Sequence, residues 1–521
     1  MSRLSVLLLF LALAPAQASD LGRVDFPTSG KPEAQAHFLR GVAALHSFWY
    51  DEAADAFREA QKIDPAFAMA YWGEAMTYNH PIWSEKDSEA AKAVLAKAPK
   101  APTEREKEWM AAVGALYEEG DRAYAEAMRA LHERRPDDLE AASFYALSLI
   151  GPALTGGQTG PDRDRDLIKA AAVLEEFFDR NPEHPGVLHY LIHAYDDPVH
   201  APLGLRAART YAKVAPSAHH ALHMPSHIFV QLGQWPETSA SNEAAWAASV
   251  DWVKRRGLGL EKRDFHSLSW LAYSYLQLGR LRKAEEVLEI ARQAARESDS
   301  PRVASSLEGM EARHRIETRT WQPAKVSAAK ADEGAHCGMA HPQGDGLGWL
   351  AQGLGAVRAG DLAAAEEAAA ALRKLNEGKA EDYRSASGRI MEKEVAALVL
   401  LARGKQEEAL ALLKEAAELE ARMPPPSGPP DPVKPAPELY GEALLEAGKA
   451  EEAARQFEAS LLRMPNRAAS LLGAARAAAK IGDREAARRH YAALAEVWKD
   501  ADPTLPDLAE VRAYLSEAPA R

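Results

Sequence analysis

The sequence predicts an all-α fold, a solenoid of antiparallel helix pairs that grows along one axis. Two observations carry this expectation. Long runs of Ala, Glu, Leu, Arg and Lys favour helix along most of the chain. A register of small residues closed by proline also recurs: Gly41, Ala44, Ala53, Phe57, Ala60 and Pro65 return far downstream as Gly441, Leu444, Ala453, Phe457, Ser460 and Pro465. Small residues at crossing points let paired helices approach, an aromatic ring fills the gap between them, and proline ends the second helix. Such an array adds units without a single central core, so 521 residues need not mean several globular domains.

The chain opens with Met1-Ser2-Arg3, an apolar run from Leu4 to Ala14, and Ala16-Gln17-Ala18. A charged start, a short apolar stretch and small residues before a cut are the parts of a secretory signal, so residues 1–18 are expected to be removed and the protein exported, periplasmic or secreted. The apolar run is too short to span a bilayer, which argues against stable membrane insertion. Formal net charge is −13 and becomes −14 once Arg3 leaves with the signal, a balance that argues against nucleic acid and anionic membrane surfaces as partners. Cys337 is the single cysteine, so the chain forms no internal disulfide and packing must hold it together.

A leader segment, 19–33, precedes the array of 34–422, with irregular joints near Asn79 to Pro102, Gly151 to Pro161 and Lys254 to Asp264. Within it the register returns around Gly279, Gly360 and Gly404. The proline-dense stretch Met423 to Pro437 cannot be helical and reads either as a stiff spacer or as a loop lying across the array. Residues 438–521 then carry a final block of paired helices and an end helix from Leu505 to Ser516.

On these residues the chain resembles the tetratricopeptide-repeat (TPR) family, whose helix pair repeats every 34 residues or so, and the resemblance covers nearly the whole mature length. It implies a right-handed superhelical solenoid of roughly a dozen helix pairs, with a concave groove in which a peptide, protein or small ligand is bound.

The strongest functional signal lies between Pro185 and Trp235. His189 and His193 are spaced i, i+4, and His223 and His227 repeat that pair 34 positions later (223 − 189 = 34). A helix places i and i+4 on one face. In the family, the positions these four residues occupy line the groove, so four imidazoles are expected to converge there. An all-imidazole set suits zinc, copper or nickel rather than calcium or magnesium. The same histidines could instead bond a peptide backbone or a carboxylate without any metal. No HExxH motif accompanies them, so the sequence assigns no catalytic residue and favours a binding scaffold over a metal-dependent hydrolase. Pro225, between His223 and His227, is expected to bend its helix or to mark a late start near Met224.

Two weaker groups remain. Trp72, Met76 and His80 fall on the register positions that would face the groove, or else pack beneath an irregular loop. His336, Cys337, Met339 and His341 form a short group of soft ligands suited to copper(I), or simply a loop.

Overall fold

The computed structural model describes residues 20–155, 160–321, 344–379 and 383–516. Residues 1–18, read as a signal sequence, and the group from His336 to His341 lie outside these residues. Among the described residues the chain forms 25 α-helical segments. The one departure from an all-α fold is a short antiparallel pair, Asn79–His80 with Glu85–Lys86, at the first irregular joint. No described helix is long and apolar enough to cross a membrane.

The repeat unit shows how the sequence builds its helix pairs. Tyr50–Ile63 starts with Asp51 and Glu52 in its first turn, where acidic groups favour the helix dipole, and Pro65 prevents it from continuing. It buries one face, Ala53, Ala56, Phe57 and Ala60, against its neighbours. Burying a ring such as that of Phe57 contributes about 1.5–3 kcal/mol. The ring sits between two glycines, one on each flanking helix. A Cβ built at Gly41 would lie 2.7 Å from it, and one at Gly73 only 2.2 Å. Phe457 repeats the arrangement at the far end of the chain, 3.0 Å from a Cβ at Gly441 and 2.2 Å from one at Gly473.

The array does not stay open. The helix Trp235–Arg256 returns to the first repeat, where the Trp252 indole donates to Glu52 at 3.1 Å and Arg256 pairs with Asp55. Helices from the last repeats fold back onto the middle of the chain: the Trp235 indole donates to the Asn466 carbonyl at 2.9 Å, Trp498 donates to the Gln277 carbonyl at 3.1 Å, and Arg467 reaches the Tyr273 hydroxyl at 2.9 Å. Stacking of nearest neighbours alone was the expectation. Contacts across some 200 residues correct it, because buried indole and guanidinium groups must find partners and find them on distant repeats.

The proline-dense stretch packs between these closures. Arg463 donates to the carbonyls of Met423 and Pro424, Gly428 lies against the Trp270 ring, and Val433 is buried. Its end is helical after all: Ala436–Glu446 begins with Pro437 in its first turn, where proline's missing N–H has no helical partner to lose. The final helix starts at Leu508 rather than Leu505.

Glycines at the ring contacts and elsewhere should respond oppositely to the same change. Alanine in a helix interior gains up to about 1 kcal/mol over glycine, and Gly114 has open space where a Cβ would go. Gly114→Ala is expected to stabilise the protein, whereas Gly73→Ala and Gly473→Ala should each cost about 1–3 kcal/mol by overpacking a buried ring. Urea midpoints of the three variants check this, and a stabilised Gly73→Ala variant would contradict the close approach.

Candidate metal centre

Three helices, separated in the chain by Ala201–Val214 and Trp235–Arg256, supply the site. Pro185–Ala194 carries His189 and His193, and its start is fixed by Pro185 and by the His184 Nδ1, which accepts from the Val187 amide at 3.1 Å. The next begins as His219–His223, is interrupted at Met224, and resumes as Pro225–Gln231, placing His220, His223 and His227. Met224 keeps right-handed helical backbone, with φ −53° and ψ −36°, so the proline breaks the hydrogen-bond ladder without turning the chain away. Phe265–Gln277 brings His266 and Trp270, capped by Asp264, which accepts from the Ser267 amide.

The imidazoles gather as two triads rather than one set of four. In the first, His189 Nε2 lies 3.1 Å from His193 Nε2 and 3.2 Å from His220 Nε2. In the second, His223 Nε2 lies 3.2 Å from His227 Nε2 and 3.1 Å from His266 Nε2. Each i, i+4 pair stays together as expected, and each gains a third member. His220 lies three residues before His223, outside the i, i+4 pattern that marks the pairs. His266 was missed because the insertion before Asp264 shifts it off the 34-residue spacing, although it is the next histidine in the chain after His227.

The histidines expected on an open groove wall are interior: His189 and His223 have no exposed surface, and His193 and His227 are 4% exposed. Of the six, only His220 and His266 keep partial exposure. Aromatic rings close the rest. Phe48, whose backbone is left-handed at φ 52°, puts its ring 4.3 Å from that of His189, and Trp270 lies 4.8 Å from His223 and 4.6 Å from His227. A bulky residue in that backbone region is strained, and such strain is held at sites where the surroundings over-determine it.

Hydrogen bonds at the outer nitrogens decide which way the lone pairs point. His189 Nδ1 is 2.6 Å from the His46 carbonyl, which can only accept, so Nδ1 carries the proton and Nε2 is a bare lone pair. His223 Nδ1 is 2.7 Å from Asn242 Oδ1, and the Asn242 amide is oriented by donation from Nδ2 to the Thr238 carbonyl, so His223 is fixed the same way. His227 Nδ1 donates to Asp196 at 2.7 Å. Burial pushes His189 down to about 3 and His223 to about 4, and holds His193 and His220 well below the usual range, so these four are neutral ligands at ordinary pH.

Each pinned lone pair therefore faces two other ring nitrogens at once. A single in-plane lone pair accepts one such N–H well, so the two neighbours compete for it. A metal ion serves all three, and bonds of about 2.0–2.1 Å at tetrahedral angles put nitrogens about 3.3–3.4 Å apart, close to the observed spacing.

A third cluster, His46, Glu140 and His184, also has ligand atoms within 4.8 Å of one another, yet its protons all have homes. The His184 Nδ1 accepts from Val187, so its Nε2 donates to Glu140 at 2.9 Å. His46 Nε2 donates to the other oxygen at 2.7 Å, and its Nδ1 meets the Tyr190 hydroxyl at 2.9 Å. Burial alone would raise Glu140, but the two imidazoles outweigh it and bring it to about 2. This cluster is a support, holding the residue whose carbonyl orients His189.

The remaining expected residues fall elsewhere. Trp72 is fully buried among Phe26, Phe38, Trp109 and Phe144, a core residue rather than a groove wall. Met76 and His80 line a separate cavity of about 500 Å³, where His80 stacks on Tyr50 at 3.9 Å and pairs with Glu85 at 3.0 Å.

Residues 34–67 match the family model for the tetratricopeptide repeat, the segment whose register the sequence displays best. That segment is a tetratricopeptide repeat, and the helix pairs that follow it continue an all-α repeat fold. No curated protein matches it. Among solved structures it is similar to the TPR domain of P58(IPK), at 12% identity over 87% of this chain and 99% of that one, with a TM-score of 0.24. It is also similar to the Cut9–Hcn1 APC/C hetero-tetramer, at 12% identity over 93% and 97%, TM-score 0.30. A monomeric IFIT1 mutant with Gppp-AAAA gives 13% identity over 94% and 90%, TM-score 0.34. Overlays this loose carry no argument about the site.

The depressed imidazoles set a pH dependence for the metal-free protein. Unfolded histidines take up protons near pH 6.5, while His189 and His223 in the folded chain wait until about 3 and about 4. The unfolded state binds more protons between those limits, so stability is full above pH 6.5 and falls as pH drops, on the order of 1 kcal/mol per group per pH unit. Urea midpoints of chelator-treated protein should fall between pH 7.5 and pH 5.5; a midpoint that rises would refute the buried neutral state.

Proposed function

We propose that this helical-repeat protein is a metal protein, with His189, His193 and His220 holding one ion and His223, His227 and His266 a second. The observation that carries the reading is the pair of inward lone pairs, on His189 and His223, each facing two further ring nitrogens at 3.1–3.2 Å. Imidazole donors select zinc or copper, and three ligands leave a position open on the side of His220 and His266. The leader sequence supports a site of action outside the cytoplasm. The tetratricopeptide repeat is a protein-interaction fold, and a peptide or protein partner meeting this face would encounter His220 and His266 rather than the buried four.

Metal analysis of untagged protein tests the proposal. Two zinc or copper ions per chain are expected, with one lost in His223→Ala and both in His189→Ala/His223→Ala. Asp196→Asn should weaken the second site by about 10–100-fold, since partners of a ligand's outer nitrogen tune metal affinity to that extent. Protein that stays metal-free in zinc and in copper would sink the proposal and return the site to a peptide-binding surface.

A further inference from the structure

The two triads share a wall. Between them, the His193 and His227 rings are 5.7 Å apart and those of His220 and His223 are 6.1 Å apart. Within them the corresponding separations are hardly shorter: 4.8 Å for His189 and His193, 5.0 Å for His189 and His220, 5.0 Å for His223 and His227, and 4.6 Å for His223 and His266. Two ions held this way are neighbours, without a carboxylate or main-chain group among the six ligand nitrogens.

Charge narrows the choice of ion. Two buried carboxylates bond histidines that belong to or adjoin the triads: Asp196 on His227, and Asp264 on His219. Asp197 is taken up by the amides of Val199 and His200 and by the His200 ring, and Glu140 by the rings of His46 and His184. Two divalent ions among six neutral imidazoles would leave the buried site with two uncompensated positive charges, which a low-dielectric interior strongly disfavours. Two monovalent ions are balanced by Asp196 and Asp264. Of the metals that suit imidazole, copper is the one with an accessible +1 state. Oxidising both coppers creates a surplus of two positive charges, which a bridging dianion cancels.

We infer, resting on the metal reading above, that the six histidines form a single dicopper centre that binds dioxygen between its two ions. Each copper(I) gives one electron to dioxygen. The two electrons enter its antibonding orbitals, the O–O single bond remains, and the product is a peroxide dianion between two copper(II) ions. No proton and no further reductant is required, and the reverse transfer releases dioxygen. Charge is balanced in both states. The surroundings suit so small a ligand: Phe48 and Trp270 wall the two triads, and only His220 and His266 reach toward the surface.

Chelator-treated full-length protein is loaded anaerobically with copper(I) and then exposed to dioxygen. Uptake of one dioxygen per two coppers in an oxygen electrode is expected, together with a new intense near-ultraviolet absorption and no copper(II) signal in electron paramagnetic resonance, because the two spins couple. Acid denaturation should then reveal the full copper(II) signal. His266→Ala and His220→Ala, each checked for native circular dichroism, alter partly exposed members of opposite triads. Either should keep one tightly held copper, take up no stoichiometric dioxygen, and show an uncoupled copper(II) signal after oxidation. Two coppers per chain with independent signals and no dioxygen uptake would overturn the dicopper centre while leaving the metal reading intact. Failure to bind any zinc or copper would overturn both.

Discussion

A neutral imidazole has one lone pair in its plane, and the hydrogen bond at its other nitrogen decides where that lone pair points. The centre of this protein depends on that constraint. The His46 carbonyl and the Asn242 amide oxygen each take one proton, and His189 and His223 are left with bare nitrogens turned toward two neighbours. The cost of such a polar arrangement inside a protein is large unless something occupies it. The same accounting separates these triads from the cluster around Glu140, where equal proximity has a complete set of donors and acceptors and needs no ion.

Much of the fold was legible because it is local. Helix periodicity, the glycines around Phe57 and Phe457, and the 34-residue spacing of the histidine pairs are all set within one or two repeats. What was hidden depends on long-range contact. Nothing near Trp235 announces that its indole will meet the Asn466 carbonyl, and the burial of His189 follows from the return of the array onto its own beginning. His266 escaped because an insertion breaks the spacing that revealed its partners. Trp72 was assigned to a face by register, but an indole of that size next to Phe26 and Trp109 is drawn into the core.

Repeat arrays usually present their ligands with an open concave surface, and here closure of the array changes what that surface can offer. Bringing the first helix pair against the histidine-bearing helices converts a wall of imidazoles into an interior, where desolvation lowers His189, His193, His220 and His223 and aromatic rings pack around them. A face that register alone would leave open becomes an enclosed one. The helix interruption at Met224 serves the same end, since the ladder lost at Pro225 leaves His223 and His227 free to converge while the helix direction is kept.

Gln231 connects this chamber to the far end of the sequence. One of its amide hydrogens goes to Asp196, the carboxylate that holds His227, and the other to the carbonyl of Pro426 in the proline-dense stretch. Two residues further on, Gly428 backs the Trp270 ring that floors the second triad. The histidines are clustered in the middle of the chain, but their setting is not. A polypeptide emerging from its amino end has all six imidazoles by His266 and the Trp270 ring soon after, but the backing of that ring waits for residue 428. A fragment that ends before the prolines therefore carries the histidines and their orienting partners without the segment packed behind the second triad.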